Sequence, residues 1–400
     1  MRKSLIAVGA VVATLAALSA VPVAAAPAPA ADPGALTLAV YGDAPYGTKP
    51  TDTAEFAATP AFIGSINADP AVDLAVHVGD IHSGKEYCTQ AYDESIAQLW
   101  QQYQVPLVYT PGDNEWTDCH KAGEGGGSYD AATQKIKYVT DPATGQPVDY
   151  AGGDPIANLD LVRSLFFPEA GKTLGSGKLP VQSQAKEYDR AYPADQQFVE
   201  NVMFERKGTL FVTLNVPGGS NNDADIWYGA PTMSTAQARE ISERTSADLR
   251  WLDRAFAQAK ASGDESVVII SQADMWDLDG KAASHVAGFE PLIASVASHT
   301  AAFGKPVLMF NGDSHVYRSD NPLSPTAPCT TEAAGGAEAS CASEASVHPG
   351  YDVPNFHRVV VHGSTFPLEW LKLTVTPSAN YPASANAFGP FSWQRQPQAS

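Results

Sequence analysis

Four apolar runs, each stopping at a Gly-Asp pair, constrain this 400-residue chain more than any other feature. They are Leu36-Thr-Leu-Ala-Val-Tyr-Gly-Asp43, Asp73-Leu-Ala-Val-His-Val-Gly-Asp80, Pro106-Leu-Val-Tyr-Thr-Pro-Gly-Asp113 and Pro306-Val-Leu-Met-Phe-Asn-Gly-Asp313. Short, near-continuous apolar runs of this kind belong to parallel strands covered on both faces. An Asp at the carboxyl end of such a strand stands where open α/β sheets hold their ligands. The expectation is four carboxylates along one sheet edge. Unpaired, they would repel and raise one another's pKa values, and bound cations are the simplest remedy. The edge therefore reads as a metal site.

The segments between these runs alternate helix and strand. Helices are expected over 53–67, carrying Phe56, Ala57, Phe62 and Ile63, and over 89–103, carrying Ile96, Leu99 and Trp100. They separate the first three strands by about one βαβ unit each. Residues 120–157 read as an irregular polar loop crossing near the site, followed by a helix from Asn158 that Pro168 stops. Residues 202–215 read as a hairpin turning at Lys207-Gly208, and 235–260 as a long helix capped by Ser234 or Thr235. A strand at 266–270, a helix over about 286–302, a low-complexity loop at 320–350 and strands at 356–362 and 368–375 complete a layered α/β domain.

The ends and the cysteines speak to location. Arg2 and Lys3, an apolar stretch over 4–20 and Val23-Ala-Ala-Ala26 form a secretory signal at 1–26. An Ala/Pro linker at 27–35, a domain at 36–376 and a tail at 377–400 follow. No later run is long enough to span a bilayer, so an exported product without a membrane anchor is expected. The formal charge of −19 argues against nucleic acid or an anionic membrane as partner. Four cysteines in an oxidising compartment suggest two disulfides. Cys88–Cys119 is favoured because each follows a Gly-Asp strand end, which leaves Cys329–Cys341 to close an Ala/Gly/Glu-rich loop. A zinc site lacks any CxxC spacing.

In their order, the strand-end motifs resemble the calcineurin-like metallophosphoesterase superfamily, which includes the purple acid phosphatases. Its pattern is D-x-H, then G-D, G-N-H-[ED], a lone His and G-H-x-H, and the resemblance covers roughly residues 36–320. It implies a four-layer αββα sandwich of two mixed β-sheets flanked by helices, built around a two-metal centre. Asp43 matches the first motif, Asp80 the carboxylate that bridges both metals, and His315 the second His of the last motif. Elsewhere the chain departs: Pro45 stands at the first His, Asp113 at the ligating Asn, Asn114 at the His commonly thought to act as acid. Gln272, with Asp274 nearby, stands at the lone His, and Asp313 at the first His of the last motif.

The resemblance thus implies Asp43, Asp80, Asp113, Gln272, Asp313 and His315 as metal ligands. Their oxygen-rich character favours Mn²⁺, Mg²⁺ or Ca²⁺ over Zn²⁺, one or two per chain. Asp80, Asp113, Gln272 and Asp313 make the fuller subsite, and Asp43, Asp80 and His315 the poorer one. The implied activity is hydrolysis of a small-molecule phosphate ester by a metal-activated water. The alternative is a non-catalytic, metal-stabilised module that binds a ligand or partner at the same cleft. Asn114 can hydrogen-bond a leaving oxygen but cannot protonate it, so His82, expected at the site mouth, and His120 are the nearest replacement acids. Arg318 stands as a phosphate contact or an ordinary ion pair, and Trp116 and Trp276 as pocket walls or packing. His77, alternating within its strand, reads as a satisfied core residue.

Overall fold

Alternation along the strands decides the layers. The computed structural model describes residues 34–333 and 336–398; the expected signal at 1–26 and the linker up to residue 33 lie outside the described residues. In chain order the elements are β1 (Leu36–Tyr41), α1 (Ala54–Asn67), β2 (Leu74–His77), α2 (Gln90–Leu99), β3 (Leu107–Tyr109), the β4–β5 hairpin (Gly127–Asp130 and Lys135–Tyr138) and α3 (Pro155–Phe166). Next come β6 (Gln182–Ser183), α4 (Gln184–Glu187), β7 (Val202–Arg206), β8 (Thr209–Thr213), the short turn α5 (Gly218–Asn221) and α6 (Thr235–Ser262). After β9 (Ser266–Ile270), α7 (Glu290–Phe303), β10 (Val307–Asn311) and β11 (Arg318–Asp320) come β12 (Thr330–Glu332) and β13 (Glu338–Ser340). The last are β14 (Phe356–Val360), β15 (Glu369–Val375), β16 (Ala387–Phe388) and β17 (Phe391–Pro397).

Two mixed sheets result, one ordered β16-β17-β15-β1-β2-β3 and the other β13-β12-β11-β14-β10-β9-β8-β7-β6. β1, β2 and β3 run parallel, as do β8, β9, β10 and β14, and antiparallel strands flank both groups. Side chains of period two then split each strand between two cores. Leu38 and Val40 of β1, Val268 and Ile270 of β9, and Leu308 and Phe310 of β10 fill the space between the sheets. Val267, Ile269, Val307 and Met309 point the other way, onto Trp251, Leu252 and Phe256 of α6 and Leu292, Ile293 and Val296 of α7. Ala39 and Tyr41 of β1 face Phe62 and Ile63 of α1, Ile96 of α2 and Val162 and Phe166 of α3. Helices, sheet, sheet, helices: the αββα sandwich is the architecture of the described residues.

Local chemistry explains the boundaries. Asp154 caps α3 by accepting from the Ile156 and Ala157 N–H groups, so the helix begins three residues before Asn158. Ser234 caps α6 through the Gln237 N–H, and Gly263 closes it at φ 78°. Both disulfides pair as expected, Cys88 with Cys119 and Cys329 with Cys341.

Three expectations are corrected. The loop at 120–157 contains the β4–β5 hairpin. The domain does not end at 376: β17 pairs along the whole of β15, and Phe391 and Trp393 are buried between the sheets. The four Gly-Asp ends do not share one sheet edge. Asp43, Asp80 and Asp113 follow β1, β2 and β3 of the six-stranded sheet, whereas Asp313 follows β10 of the other. Both sheets end at the same rim, and that is what brings the carboxylates together.

Candidate metal centre and its cleft

At three of the strand ends the chain turns through the left-handed region, at φ 49° for Asp43, 61° for Asp80 and 73° for Asp313. Asp is among the few non-glycine residues that tolerate this conformation, through local hydrogen bonding. Two of these turns, at Asp80 and Asp43, lay a carboxylate against the bare backbone of a neighbouring strand end. A Cβ on Gly112 would stand 1.8 Å from Asp80 Oδ1, and one on Gly312 would stand 2.1 Å from Asp43 Oδ2. Glycine is required there by contact. Gly112→Ala is therefore expected to displace Asp80, costing about 1–3 kcal/mol by overpacking. Urea unfolding beside a divalent-metal titration checks both effects, and unchanged metal affinity would contradict the close approach.

The two sheets are joined at the site itself. The Asp313 N–H donates to Asp43 Oδ1 at 2.8 Å, while Asp43 Oδ2 is buried without a partner. His315 Nε2 lies 3.5 Å from Asp43 Oδ1. Asp43, Asp80 and His315 each bring a ligand atom to within 4.8 Å of the other two. Burial pushes the Asp43, Asp80 and Asp313 carboxyls well above the usual range, and the neighbouring carboxylates add to it. Asp113 rises to about 7, again chiefly by burial. Burial holds His315 down to about 4, so it presents a neutral imidazole. An orphaned buried carboxylate oxygen, a neutral imidazole and mutually repelling carboxyls fit a divalent cation.

Gln272 plays a different part from the expected one. Its Nε2 donates to Asp113 Oδ1 at 2.9 Å and Asp80 Oδ2 at 3.2 Å, and its Oε1 accepts the Gly218 N–H at 3.0 Å. A backbone N–H cannot accept, so it fixes which end of the amide faces the carboxylates. Gln272 is thus a donor to the acidic cluster and not an oxygen ligand. The subsite expected to be fuller loses a member, and the candidate ligand atoms found close together are those of Asp43, Asp80 and His315. Asp113 stays tied to Gln272, and Asp313 Oδ2 accepts the Asp274 N–H at 2.9 Å.

Asn114 donates through Nδ2 to Asp80 Oδ2 at 3.1 Å and to the Tyr46 hydroxyl at 2.8 Å. Tyr46, absent from the sequence reading, donates to Asp80 Oδ2 at 2.5 Å and lies edge-on to the His315 ring. It reaches the site beyond a cis Ala44–Pro45 bond. A Tyr three residues after the first Asp was the available signal.

The cleft above these groups holds about 370 Å³, and its wall includes Asp113, Asp313, His315, Asp274, Lys121 and Lys281. Both lysines were missed. Lys121 is braced by Asp118 at 2.6 Å and Asp225 at 3.0 Å, and Lys281 is half-exposed beside His285. Neither His82 nor His120 lines the cleft. His82 is fully buried, not at the mouth, and His120 is buried with Nδ1 accepting the Tyr228 N–H at 3.0 Å. Burial holds both near 4. Arg318 is taken up by Asp320, Glu344 and the Ala342 carbonyl, so it has no fork free for a phosphate. Trp116 and Trp276 are core residues packed against Arg244 and Arg358 rather than pocket walls. His77 is a satisfied core residue, bonded to the Ala44 carbonyl and the Gly79 N–H.

No protein-family model matches this chain, and no curated protein matches it. Among solved structures it is similar to a purple acid phosphatase isolated from yellow lupin (Lupinus luteus) seeds, at 12% identity and a TM-score of 0.41. The match covers 92% of this chain and 52% of the lupin chain, so the chain spans about half the length of that enzyme. At that score the likeness adds nothing to what the site's own geometry says.

Proposed function

We propose that this chain is an exported, divalent-metal-dependent hydrolase of small phosphate esters. The observation that supports it best is a candidate cation group, Asp43, Asp80 and His315, whose His315 also lines the adjoining cleft, with two lysines, Lys121 and Lys281, on the cleft wall. Acidic side chains outnumber cations on the lining, which also includes Asp225, Asp277 and Asp279. An anionic ester therefore enters favourably only once a divalent ion offsets these carboxylates. When bound, such an ion supplies Lewis-acid polarisation of a phosphoryl oxygen and a more acidic water. Manganese, magnesium and calcium remain the proposed ions, although a set of two carboxylates and one imidazole is less purely oxygen-based than the sequence suggested.

The chain's own groups do the rest. Asn114 and Gln272 hold Asp80 in place by donating to Oδ2. Lys121, paired with two carboxylates, and the more exposed Lys281 orient the ester's anionic oxygens. His315 stays neutral above about pH 4, so it offers no ready proton to a leaving group. Leaving groups that need no proton are favoured, so aryl phosphates should turn over faster than alkyl ones. The two disulfides accord with export, and no helix among the described residues is long and apolar enough to cross a membrane. Assays of both ester types with each metal, beside Asp80→Ala, test the reading. Equal turnover in the parent and Asp80→Ala would refute it.

One observation favours the non-catalytic reading. Asp80 Oδ2 already accepts from Tyr46, Asn114 and Gln272, so protein donors satisfy much of its demand. Stoichiometric metal binding without turnover of either ester type would select the binding module.

A further inference from the structure

A second cluster, His82, Cys88, Cys119 and Glu124, takes no part in the proposed hydrolysis. One ligand atom from each of His82, Cys88 and Glu124 lies within 4.8 Å of the other two. Cys119 Sγ, bonded to Cys88 Sγ at 2.06 Å, stands next to this group and outside it. His82 is 0% and Glu124 2% exposed. His82 Nδ1 lies 3.1 Å from the Ser83 carbonyl, a bond that only a protonated Nδ1 can make. Nε2 therefore keeps its lone pair, which is how metal-binding imidazoles are held. Neither His82 Nε2 nor Glu124 Oε2 has a partner. Two desolvated polar atoms left without partners are costly unless something sits with them.

Water would serve while the disulfide is closed, since a disulfide sulfur is no thiolate ligand. We infer that, with Cys88 and Cys119 reduced, this cluster binds one zinc-class ion through two thiolates, the His82 imidazole and the Glu124 carboxylate. Two sulfurs, one nitrogen and one oxygen suit tetrahedral Zn²⁺. The ligands come as two local pairs, His82 with Cys88 after β2 and Cys119 with Glu124 after β3, so no CxxC spacing is needed. The chemistry balances. A dithiol gives two electrons and two protons to the disulfide, leaving two cysteine thiols and its own disulfide. The ion then displaces both thiol protons, and any proton on Glu124, to water. The state addressed is the chain before its cysteines are oxidised. Both sulfurs also lie against the Asn114 carbonyl, at 3.3 and 3.5 Å, so ion and disulfide would hold the same loop beside Asp80.

The test uses the full chain carrying Cys329→Ser and Cys341→Ser, so that only Cys88 and Cys119 can supply thiols. It is titrated with Co²⁺ in the oxidised form, and again after dithiol reduction and anaerobic desalting. The expected result is one additional Co²⁺ per reduced chain, with thiolate-to-cobalt charge-transfer absorption that Zn²⁺ abolishes. Glu124→Gln and His82→Ala should each weaken this binding about tenfold or more. Glu124→Gln keeps the side-chain volume, so a folded variant is available even if His82→Ala is not. An ion at Asp43, Asp80 and His315 would give no thiolate band and would not depend on redox state. Absence of the band in the reduced chain, or parental affinity in folded Glu124→Gln, overturns the inference.

Discussion

Arg358→Met is expected to lower unfolding free energy by about 3–5 kcal/mol at neutral pH, the usual cost of removing one partner of a buried ion pair. The guanidinium is fully buried on β14 and spends its donors on three carboxylates. It forks onto Asp320 with two bonds of 2.9 Å, meets Asp274 Oδ1 at 2.5 Å and reaches Glu344 Oε2 at 2.7 Å. Methionine fills most of the volume but leaves Asp274 and Asp320 buried without the guanidinium they share. Burial alone would raise the Asp320 pKa; Arg358, with help from Arg318, outweighs it and holds the carboxyl below its usual value. A lowered folded pKa means stability that is present above the unfolded value and lost as pH falls through the folded one. The gap between parent and variant should therefore be full at pH 7 and shrink below about pH 4. Urea midpoints at several pH values measure it. A gap independent of pH would assign the loss to packing instead. The candidate metal centre should feel the change too, because Asp274 holds Asp313 through its N–H and Ser314 through Oδ2.

Arg358 also shows what a sequence hides. It sits in a strand reading Phe-His-Arg-Val-Val, and nothing local says that two of its three carboxylate partners lie 38 and 84 residues away. The sandwich was legible because period-two strands and period-3.6 helices are local signals, and burial follows from them. The four Gly-Asp stops were legible for the same reason. Their distribution over two sheets was not, since a parallel strand reads alike in either sheet. Gln272 was misread because amide direction depends on the Gly218 N–H, supplied 54 residues away. Tyr46 was not legible because Pro45 reads locally as a missing ligand, while the turn through Pro45 delivers the next side chain to Asp80. β17 was lost behind a Pro/Ser/Asn-rich approach, although Phe391-Ser-Trp393 alternates as a half-buried strand should. His82 was expected at the site mouth, and His120 near enough to act as an acid, because loop residues usually lie at the surface. Both lie instead within the folded loops after β2 and β3, which the Cys88–Cys119 bond ties together.

Chelator-treated protein is expected to lose stability as pH rises from about 4 to about 7, and divalent metal should flatten that fall. Asp113 is raised by burial to about 7, and Asp43, Asp80 and Asp313 are likewise raised well above the ordinary carboxylate value by burial, with their neighbours' charges adding. A carboxyl with a raised folded pKa keeps its proton in the fold after the unfolded chain has released it. The sign is then fixed: stability is fully present below the unfolded value, near 4, and drains away as pH climbs through the folded one. Each such proton contributes a slope of about 1.4 kcal/mol per pH unit across its window. Other buried carboxyls, Asp93 and Asp248 among them, tilt the curve in the same direction. The diagnostic quantity is therefore the difference between metal-loaded and chelated protein. A divalent ion replaces the protons on Asp43 and Asp80, and His315, neutral above about 4, adds a ligand without competing for them. At 100 times Kd the ion adds about 2.7 kcal/mol. Because protons compete with it, that gain should be largest above pH 7 and fade towards pH 5. Thermal melts with Mn²⁺, Mg²⁺ or Ca²⁺ against chelator, taken across that range, measure the difference. Curves that coincide at every pH would mean that Asp43, Asp80 and His315 hold no ion, and the cleft would lose the feature on which its chemistry depends.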